Sequence, residues 1–177
     1  RQGLDERLLA QNRRGEEMAK KLSSANYHGD FIFAFDNWFD RKLIEKALKI
    51  WKFYCPKKET KFYLFCGFQQ TPTDDKKFQL DIAEIFMRIC VLMRYGCLGY
   101  IMRHEDYHKA PLPNIYVQIA RWCNQPGFYR NLSFWQFCYK NQTYWEEHTL
   151  GIKHDRLKTY EEFIEDYENG YYNEVTM

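Results

Sequence analysis

Four consecutive polar residues, at positions 103–106, directly follow the apolar run at 100–102. Arginine can bind a carboxylate or a phosphate through two parallel hydrogen bonds, and histidine and carboxylates can transfer protons. Functional groups of parallel α/β folds collect at the carboxyl ends of the strands. Arg103, His104 and Glu105 are therefore candidate binding residues, whereas a solvated charge cluster is the alternative interpretation of the same segment.

Two further positions offer polar groups that could bind a small molecule. Asp36 and Asn37 follow an apolar run at 31–35, and a carboxylate and an amide there suit ribose hydroxyls or an amino group. The same two residues could instead turn the chain or cap the next helix. Arg121 lies among aromatic residues, so it could stack on Trp122 or Tyr116 or reach into the mouth of a barrel.

The cysteines and histidines do not predict a metal site. Six cysteines are present, and none of their spacings gives CxxC or CxxxCxxC. Most lie within apolar runs, so we expect buried, reduced thiols and a cytoplasmic location. No histidine pair is expected on one helix face. The chain contains neither a glycine-rich phosphate loop nor GxSxG, and conventional kinase or hydrolase chemistry has no support.

The elements that must position these residues follow from hydrophobic periodicity. Apolar runs at 31–35, at 62–66 within the segment 61–68, and at 100–102 predict strands buried on both faces. Helical spacing between them predicts two intervening helices, with Asp40 and either Thr73 or Asp74 as their caps. An amphipathic helix is predicted to precede the first strand, beginning at about Asp5 or later and extending to Leu22. This alternation predicts right-handed βαβ units and a parallel sheet.

Beyond Pro111 the predicted elements are helices only. Short helices are predicted around residues 115–123 and from Ser133, and a last amphipathic helix is predicted from Asp155 or Thr159 through Tyr167. We therefore predict a domain of βα units over residues 1–110 and a helical C-terminal extension over 111–177.

Composition restricts the classes of partner. The 177 residues are 45% hydrophobic and 28% charged, with a net charge of +2, which is globular composition and does not demand nucleic acid. Basic and aromatic residues interleave over 107–139 and could stack on single-stranded nucleic acid, a minority interpretation. No segment has the length of a membrane span or the pattern of a secretory signal, so no membrane partner is expected.

The edge of the predicted sheet requires a neighbour. No strand is predicted before Asp5 to pair with the first strand, and an unpaired apolar strand edge invites association. Residues 2–5 are interpreted as the end of a strand that begins upstream. We therefore expect an N-terminal half or a homo-oligomer mate to cover this edge.

Four segments together resemble the second half of radical S-adenosylmethionine (radical SAM) proteins, and most closely a bacterial and phage-associated group of them. The segments are residues 2–9, 33–37, 100–107 and 120–126. The resemblance implies a partial (β/α)6 TIM-like barrel of which this chain forms the second half. It also implies that a 4Fe-4S cluster, bound by a CxxxCxxC motif, reduces S-adenosylmethionine and releases a 5′-deoxyadenosyl radical. This chain lacks that motif, so the cluster would belong only to a missing N-terminal half, which would be on a separate chain, lost by truncation or never present.

The resemblance also implies which residues contact the two small molecules. Cofactor contacts would come from Gln2, Asp5, Arg7, Asp36, Asn37 and Gly67. Substrate contacts would come from Arg103, His104, Glu105, Arg121 and Asn124. The expected function is the substrate side of a radical SAM enzyme that is inactive without its other half. A non-catalytic interaction module and a nucleic-acid accessory protein with the same half-barrel are the alternatives.

Overall fold

Three parallel strands alternate with helices along the chain, in a computed structural model that describes residues 6–25, 29–140 and 169. The strands are β1 (Phe31–Ala34), β2 (Thr60–Cys66) and β3 (Leu98–Arg103), in the spatial order β1-β2-β3. β1 and β2 pair in parallel, with Phe31 opposite Thr60. The predicted α/β class with a parallel sheet is confirmed.

Six α-helices lie within the described ranges. They are α1 (Asn12–Ser24), α2 (Arg41–Tyr54), α3 (Asp75–Arg94), α4 (Pro113–Cys123), α5 (Pro126–Asn131) and α6 (Phe134–Lys140). Short 3₁₀ helices cover Glu6–Leu8, Trp38–Asp40 and Glu105–Lys109. None of the helices in this part of the chain is both long and apolar enough to cross a bilayer.

The start of α1 agrees with the prediction, whereas the cap of α2 differs from it. α1 begins at Asn12, within the predicted range of about Asp5 or later, because the chain turns at the buried residues Leu9 and Ala10. Asp40 occupies the N-cap position of α2 without a side-chain cap hydrogen bond; instead Asn37 accepts the N–H of Phe39 and caps the preceding 3₁₀ helix.

Other predicted helix features can be checked further along the chain. Asp74 accepts the N–H of Lys77 at 3.0 Å and caps α3, as one of the two predicted choices. The predicted helix ending at Tyr167 lies outside the described residues.

The chain divides into two compact units. The first comprises Arg1–Leu64 and Arg88–Tyr100, and the second comprises Phe65–Met87 and Ile101–Met177. β2, α3 and β3 therefore contribute residues to both. The predicted boundary at residue 110 is not tested by this division and stays a prediction.

The core of the first unit forms around Trp51 on α2. Its ring lies 4.9 Å from that of Phe31 and 5.5 Å from that of Phe33, and its Nε1 donates to Thr60 Oγ1 at 2.9 Å. Trp51 is fully buried. Removing so large a core side chain costs about 3–5 kcal/mol, so this contact fixes α2 on one face of β1 and β2.

The opposite face of these strands is only partly covered in the first unit. Ile32, Ala34 and Tyr63 are half-buried, and Tyr100 on β3 is 43% exposed. The rings of Tyr63 and Tyr100 meet at 5.7 Å on this face. The apolar runs predicted burial on both faces, but β1 and β2 alternate between buried and half-buried residues, and α2 packs on the face that bears Phe31 and Phe33.

The second unit contains the helices that follow β3. Trp122 of α4 packs on Tyr129 and Phe134 at 5.7 Å in each case, and its Nε1 donates to the carbonyl of Leu132. Ser133 and Gln136 exchange side-chain and backbone hydrogen bonds at the start of α6, which is a capping box. The predicted helical character of this region is thus confirmed through Lys140.

Candidate functional site

The ends of β2 and β3 meet in the second unit, where the N–H of His104 donates to the carbonyl of Cys66 at 2.8 Å. The residues that follow each strand are therefore neighbours. Three predicted binding residues, Gly67, Arg103 and His104, lie at this edge. Since the carboxyl ends of parallel strands are where ligands bind in α/β folds, we take this edge as the candidate site.

Tyr107 joins two of the predicted residues. The guanidinium of Arg103 lies over its ring, 4.6 Å from the centroid, a cation–π geometry. Gly67 contacts the same tyrosine so closely that a Cβ at residue 67 would lie 2.6 Å from Tyr107 Cβ. Gly67 also has φ +75°, a conformation that favours glycine. The sequence argument did not identify Tyr107, although it follows the polar segment directly.

Asp81 of α3 secures the loop that follows β2. Its Oδ2 accepts the N–H of Gly67 at 2.7 Å, the hydroxyl of Tyr116 at 2.6 Å and, more weakly, Nε2 of Gln70 at 3.4 Å. Tyr116 and Gln70 are buried. Charge-assisted hydrogen bonds of this kind are stronger than neutral ones, so the loop is held in one conformation at the edge of the site.

Sequence reasoning missed Asp81, although a signal was present. Phe78, Ile82 and Ile85 form an apolar stripe on α3, and Asp81 interrupts it at helical spacing. A carboxylate on the buried side of a helix requires hydrogen-bond donors from elsewhere in the fold. The identity of those donors, Gly67 and Tyr116, depends on the tertiary structure.

His104 is fixed by two aromatic rings and one backbone group. Its ring meets Phe65 at 5.5 Å and Phe68 at 4.8 Å, both edge-on. The N–H of Asp106 donates to Nδ1 at 3.1 Å, so a neutral ring carries its proton on Nε2. Nε2 has no hydrogen-bond partner among residues 6–25 and 29–140, and the side chain is 23% exposed. The arrangement leaves one N–H donor for a ligand.

Charged residues surround this histidine. Lys109 donates to Asp106 at 2.6 Å, and Asp106 Oδ2 lies 3.5 Å from His104 Nδ1. The hydrogen bond from Lys109 lowers the pKa of the Asp106 carboxyl below its ordinary value and raises the pKa of Lys109. Asp106 therefore stays ionised at neutral pH, and a protonated His104 ring would have an anionic neighbour.

Residues 104–108 spell HEDYH, the HExxH pattern of zinc proteases, although the sequence argument expected no such histidine pair on one helix face. That motif binds zinc when both histidines lie on one face of an α-helix. Here His104 has an extended backbone and caps a 3₁₀ helix, and His108 Nδ1 contacts the carbonyl of Glu105. The described residues contain no cluster of three or more metal-ligating side chains. The pattern therefore lacks its zinc-binding context.

Two other predicted substrate residues interact within the protein. Asn124 bonds both backbone groups of Ile101 on β3, accepting from its N–H at 2.7 Å and donating to its carbonyl at 3.2 Å. Arg121 Nη1 reaches Gln118 Oε1 at 3.5 Å. Glu105 is exposed at the start of the 3₁₀ helix. Their predicted contacts with substrate stay predictions.

The other predicted cofactor residues divide between the first unit and the undescribed terminus. Gln2 and Asp5 lie outside the described residues, and Arg7 is exposed in the first 3₁₀ helix. Asp36 and Asn37 are exposed at the turn after β1. Arg7, Asp36 and Asn37 belong to a different unit from Gly67.

Arg88 fixes the turn after β1. Its side chain is 1% exposed, and Nη1 donates to the carbonyls of Phe35 and Asp36 at 2.9 and 3.0 Å. A buried guanidinium is costly unless hydrogen-bonded, so these contacts are strongly specified. Sequence reasoning gave Arg88 no role, because a helical arginine is ordinarily exposed.

The cysteines do not form a cluster site. All six are free, and five are buried. Burial raises the pKa of Cys97 to about 11 and that of Cys138 to about 12, and it raises the pKa of Cys123 well above the ordinary value. Because iron and zinc bind the thiolate, these protonated thiols are poor ligands.

Comparison with protein-family models, with curated proteins and with solved structures finds no match to this chain. The case for function therefore depends on the residues and their geometry.

Proposed function

We propose that this chain forms the substrate side of a radical SAM enzyme, as the second half of a partial (β/α)6 TIM-like barrel. The observation behind the proposal is the candidate site itself: polar groups gathered where parallel strands end, on a sheet whose strands follow one another in chain order. Barrel strands are added in this order, each on the same side of the one before. The resemblance of residues 2–9, 33–37, 100–107 and 120–126 to radical SAM proteins gives this geometry its chemical interpretation.

Two features of the first unit support a partner for the sheet. Ile32, Ala34, Tyr63 and Tyr100 give the uncovered face an apolar character, which suits the interior of a barrel. No described strand pairs with the outer edge of β1. A cluster-binding half could add its last strand at that edge, and a second copy of the chain is the alternative occupant.

The described residues fit S-adenosylmethionine but do not fit a 4Fe-4S cluster. Asp36 and Asn37 are exposed on a turn that Arg88 fixes, which suits the hydroxyl and amino groups of S-adenosylmethionine. When bound beside a reduced cluster, this cofactor supplies the radical that abstracts hydrogen from substrate. The described cysteines do not fit a 4Fe-4S cluster, since they are dispersed and mostly buried as thiols. The cluster would have to be bound by other residues.

The chain's own contribution is to bind and orient substrate. His104 would donate from Nε2 to a substrate acceptor, because its tautomer is set by the N–H of Asp106. Arg103, stacked on Tyr107, would bind a carboxylate or phosphate. Phe68, 55% exposed beside His104, would cover an apolar part of the substrate and exclude water.

The test uses the whole reading frame that contains this chain, expressed without oxygen and supplied with iron and sulfide. We expect an iron–sulfur EPR signal after reduction and cleavage of S-adenosylmethionine to 5′-deoxyadenosine. Asp36→Ala should raise the Kd for S-adenosylmethionine about tenfold, equivalent to about 1.4 kcal/mol. Asp40→Ala is the matched control, since Asp40 is exposed nearby and its side chain makes no cap hydrogen bond. A preparation that binds neither iron nor S-adenosylmethionine would refute the proposal.

A further inference from the structure

The exposed side of α2 has an unusual composition. Lys42, Lys46, Lys49 and Phe53 are all exposed and follow one another at spacings of four, three and four residues. At about 100° per residue these positions fall within an arc of about 60° on the helix. They therefore form one continuous row, which we call the lysine stripe, directly opposite the buried residues Ile44, Ala47, Leu48 and Trp51.

Within the described part of the chain, the positive charge of the stripe is not neutralised by carboxylates. Residues 41–58 contain seven lysine or arginine residues and one acidic residue, Glu45, whereas the whole chain has a net charge of only +2. Glu45 pairs with Arg94 at 3.6 Å. Lys46 donates to the neutral amide of Asn12 at 2.8 Å. Within the described ranges no carboxylate pairs with Lys42, Lys46 or Lys49.

An aromatic pair ends the stripe. Phe53 is 76% exposed, the largest exposure among the large hydrophobic residues of the described part of the chain. Its ring meets that of Tyr54 edge-on at 4.9 Å. Tyr54 is in turn held by Glu16 at 3.4 Å and by Lys20, whose Nζ lies 5.1 Å from the ring centroid. Phe53 is therefore an exposed aromatic ring next to a tyrosine that is held in place. A large exposed apolar side chain lowers the solubility of a protein, so solubility does not explain this residue.

We propose that the lysine stripe binds single-stranded nucleic acid. Lysines in a row neutralise successive phosphates, and an exposed aromatic ring at the end of the row offers a face on which a base can stack. Lys42 and Phe53 are separated by about 16 Å along the helix, so a strand only a few nucleotides long can contact the whole stripe. Paired bases cannot present a face to Phe53, so an unpaired strand fits better than a duplex. A lipid surface fits less well, because one phenylalanine is a small apolar area for interfacial insertion.

The test is fluorescence anisotropy of a labelled 15-nucleotide oligothymidylate at 50 mM and 200 mM salt. With about three phosphates neutralised, affinity should fall roughly 20-fold between these concentrations. The triple variant Lys42→Gln/Lys46→Gln/Lys49→Gln should lose most of this salt dependence, and Phe53→Leu should weaken binding at least about fivefold. A duplex of the same length should bind at least about fivefold more weakly than the single strand.

The matched control removes the same charge elsewhere. Lys77, Arg130 and Lys140 are exposed in the second unit, and Lys77→Gln/Arg130→Gln/Lys140→Gln should leave affinity within twofold of the parent chain. Equal losses in both triple variants would mean nonspecific charge attraction and would overturn the proposal. So would no binding at 50 mM salt, or stripe-dependent binding only to vesicles with 30% phosphatidylserine. Phe53→Leu changes an exposed side chain, so it tests the stripe even if the triple variant does not fold.

Discussion

The hydroxyl of Tyr116 donates a 2.6 Å hydrogen bond to the carboxylate of Asp81, 35 residues earlier in the chain. The same carboxylate oxygen accepts the N–H of Gly67. One side chain thus links α4, α3 and the loop after β2 within the second unit. The candidate site is bordered by this loop, so its geometry depends on a residue that contacts no proposed ligand.

The Asp81–Tyr116 pair should show energetic coupling. Asp81→Asn and Tyr116→Phe should each lower the free energy of unfolding by about 1–3 kcal/mol, since each leaves buried polar groups without their partner. The double variant should lose about 1 kcal/mol less than the sum of the two, because both changes remove one bond. Urea denaturation measures all three. Tyr100→Phe, at an exposed tyrosine, should change stability by less than about 0.5 kcal/mol, and strict additivity would contradict the pairing.

Gly67 and Gly96 provide a matched pair for backbone and packing effects. Both have positive φ, +75° and +62°, but a Cβ at residue 67 would meet Tyr107 whereas one at residue 96 would meet nothing within 4 Å. Gly96→Ala should cost about 1–2 kcal/mol from the left-handed conformation alone. Gly67→Ala should cost at least about 1 kcal/mol more, because Tyr107 must move. Thermal unfolding of the two variants tests this order, and equal losses would contradict the close contact.

The Asp106–Lys109 pair predicts a pH effect in the acid range. The pKa of Asp106 is lowered from 3.8, chiefly by the hydrogen bond from Lys109. A folded-state pKa below the unfolded one means that the stabilisation is complete above about pH 4 and is lost as pH falls through the folded value. In Lys109→Gln the Asp106 pKa should rise toward 3.8, as followed by NMR of the carboxyl carbon. Lys140→Gln should leave it unchanged, and an unchanged titration in Lys109→Gln would refute the assignment.

Cys97 predicts a pH effect in the alkaline range. Burial raises its pKa from 9.0 to about 11, and its thiol donates to the carbonyl of Tyr95. The contribution to stability is present below pH 9 and declines as pH rises toward 11, because only the unfolded chain ionises there. A pKa difference of this size between the folded and unfolded chain corresponds to at most about 3 kcal/mol of stability. Urea midpoints between pH 8.5 and 11 should fall more steeply for the parent chain than for Cys97→Ala; parallel curves would refute the claim.

The elements of this fold follow from local patterns in the sequence. The aromatic run beginning at Phe31 predicted a strand without further information, and the capping potential of Asp74 located the start of α3. Such signals depend on residues within a few positions of one another, so they can be recognised from the sequence without the tertiary structure. The partial barrel proposed above is a global property, and local periodicity alone does not distinguish it from an open sheet.

The residues that fix the turn after β1 and the candidate site were harder to predict. Arg88 acts on the carbonyls of Phe35 and Asp36, more than 50 residues earlier, and Asp81 depends on Tyr116. Each is a polar residue on an apolar helix stripe. Such a residue indicates that a buried hydrogen-bond partner exists, but the sequence does not identify that partner. His104 follows the end of β3, and its predicted contact with substrate stays a prediction; the hydrogen bond that sets its tautomer required the geometry of the following turn.

The side-chain amide of Asn124 occupies both backbone groups of Ile101, much as a neighbouring peptide would. A strand from another protein therefore cannot pair with β3 at Ile101 unless it displaces Asn124. The chain protects this part of the sheet edge with a side chain and not with a further strand. The outer margin of β1 has no strand partner among residues 6–25 and 29–140. A strand contributed by another chain would therefore pair more readily with β1 than with β3 at Ile101.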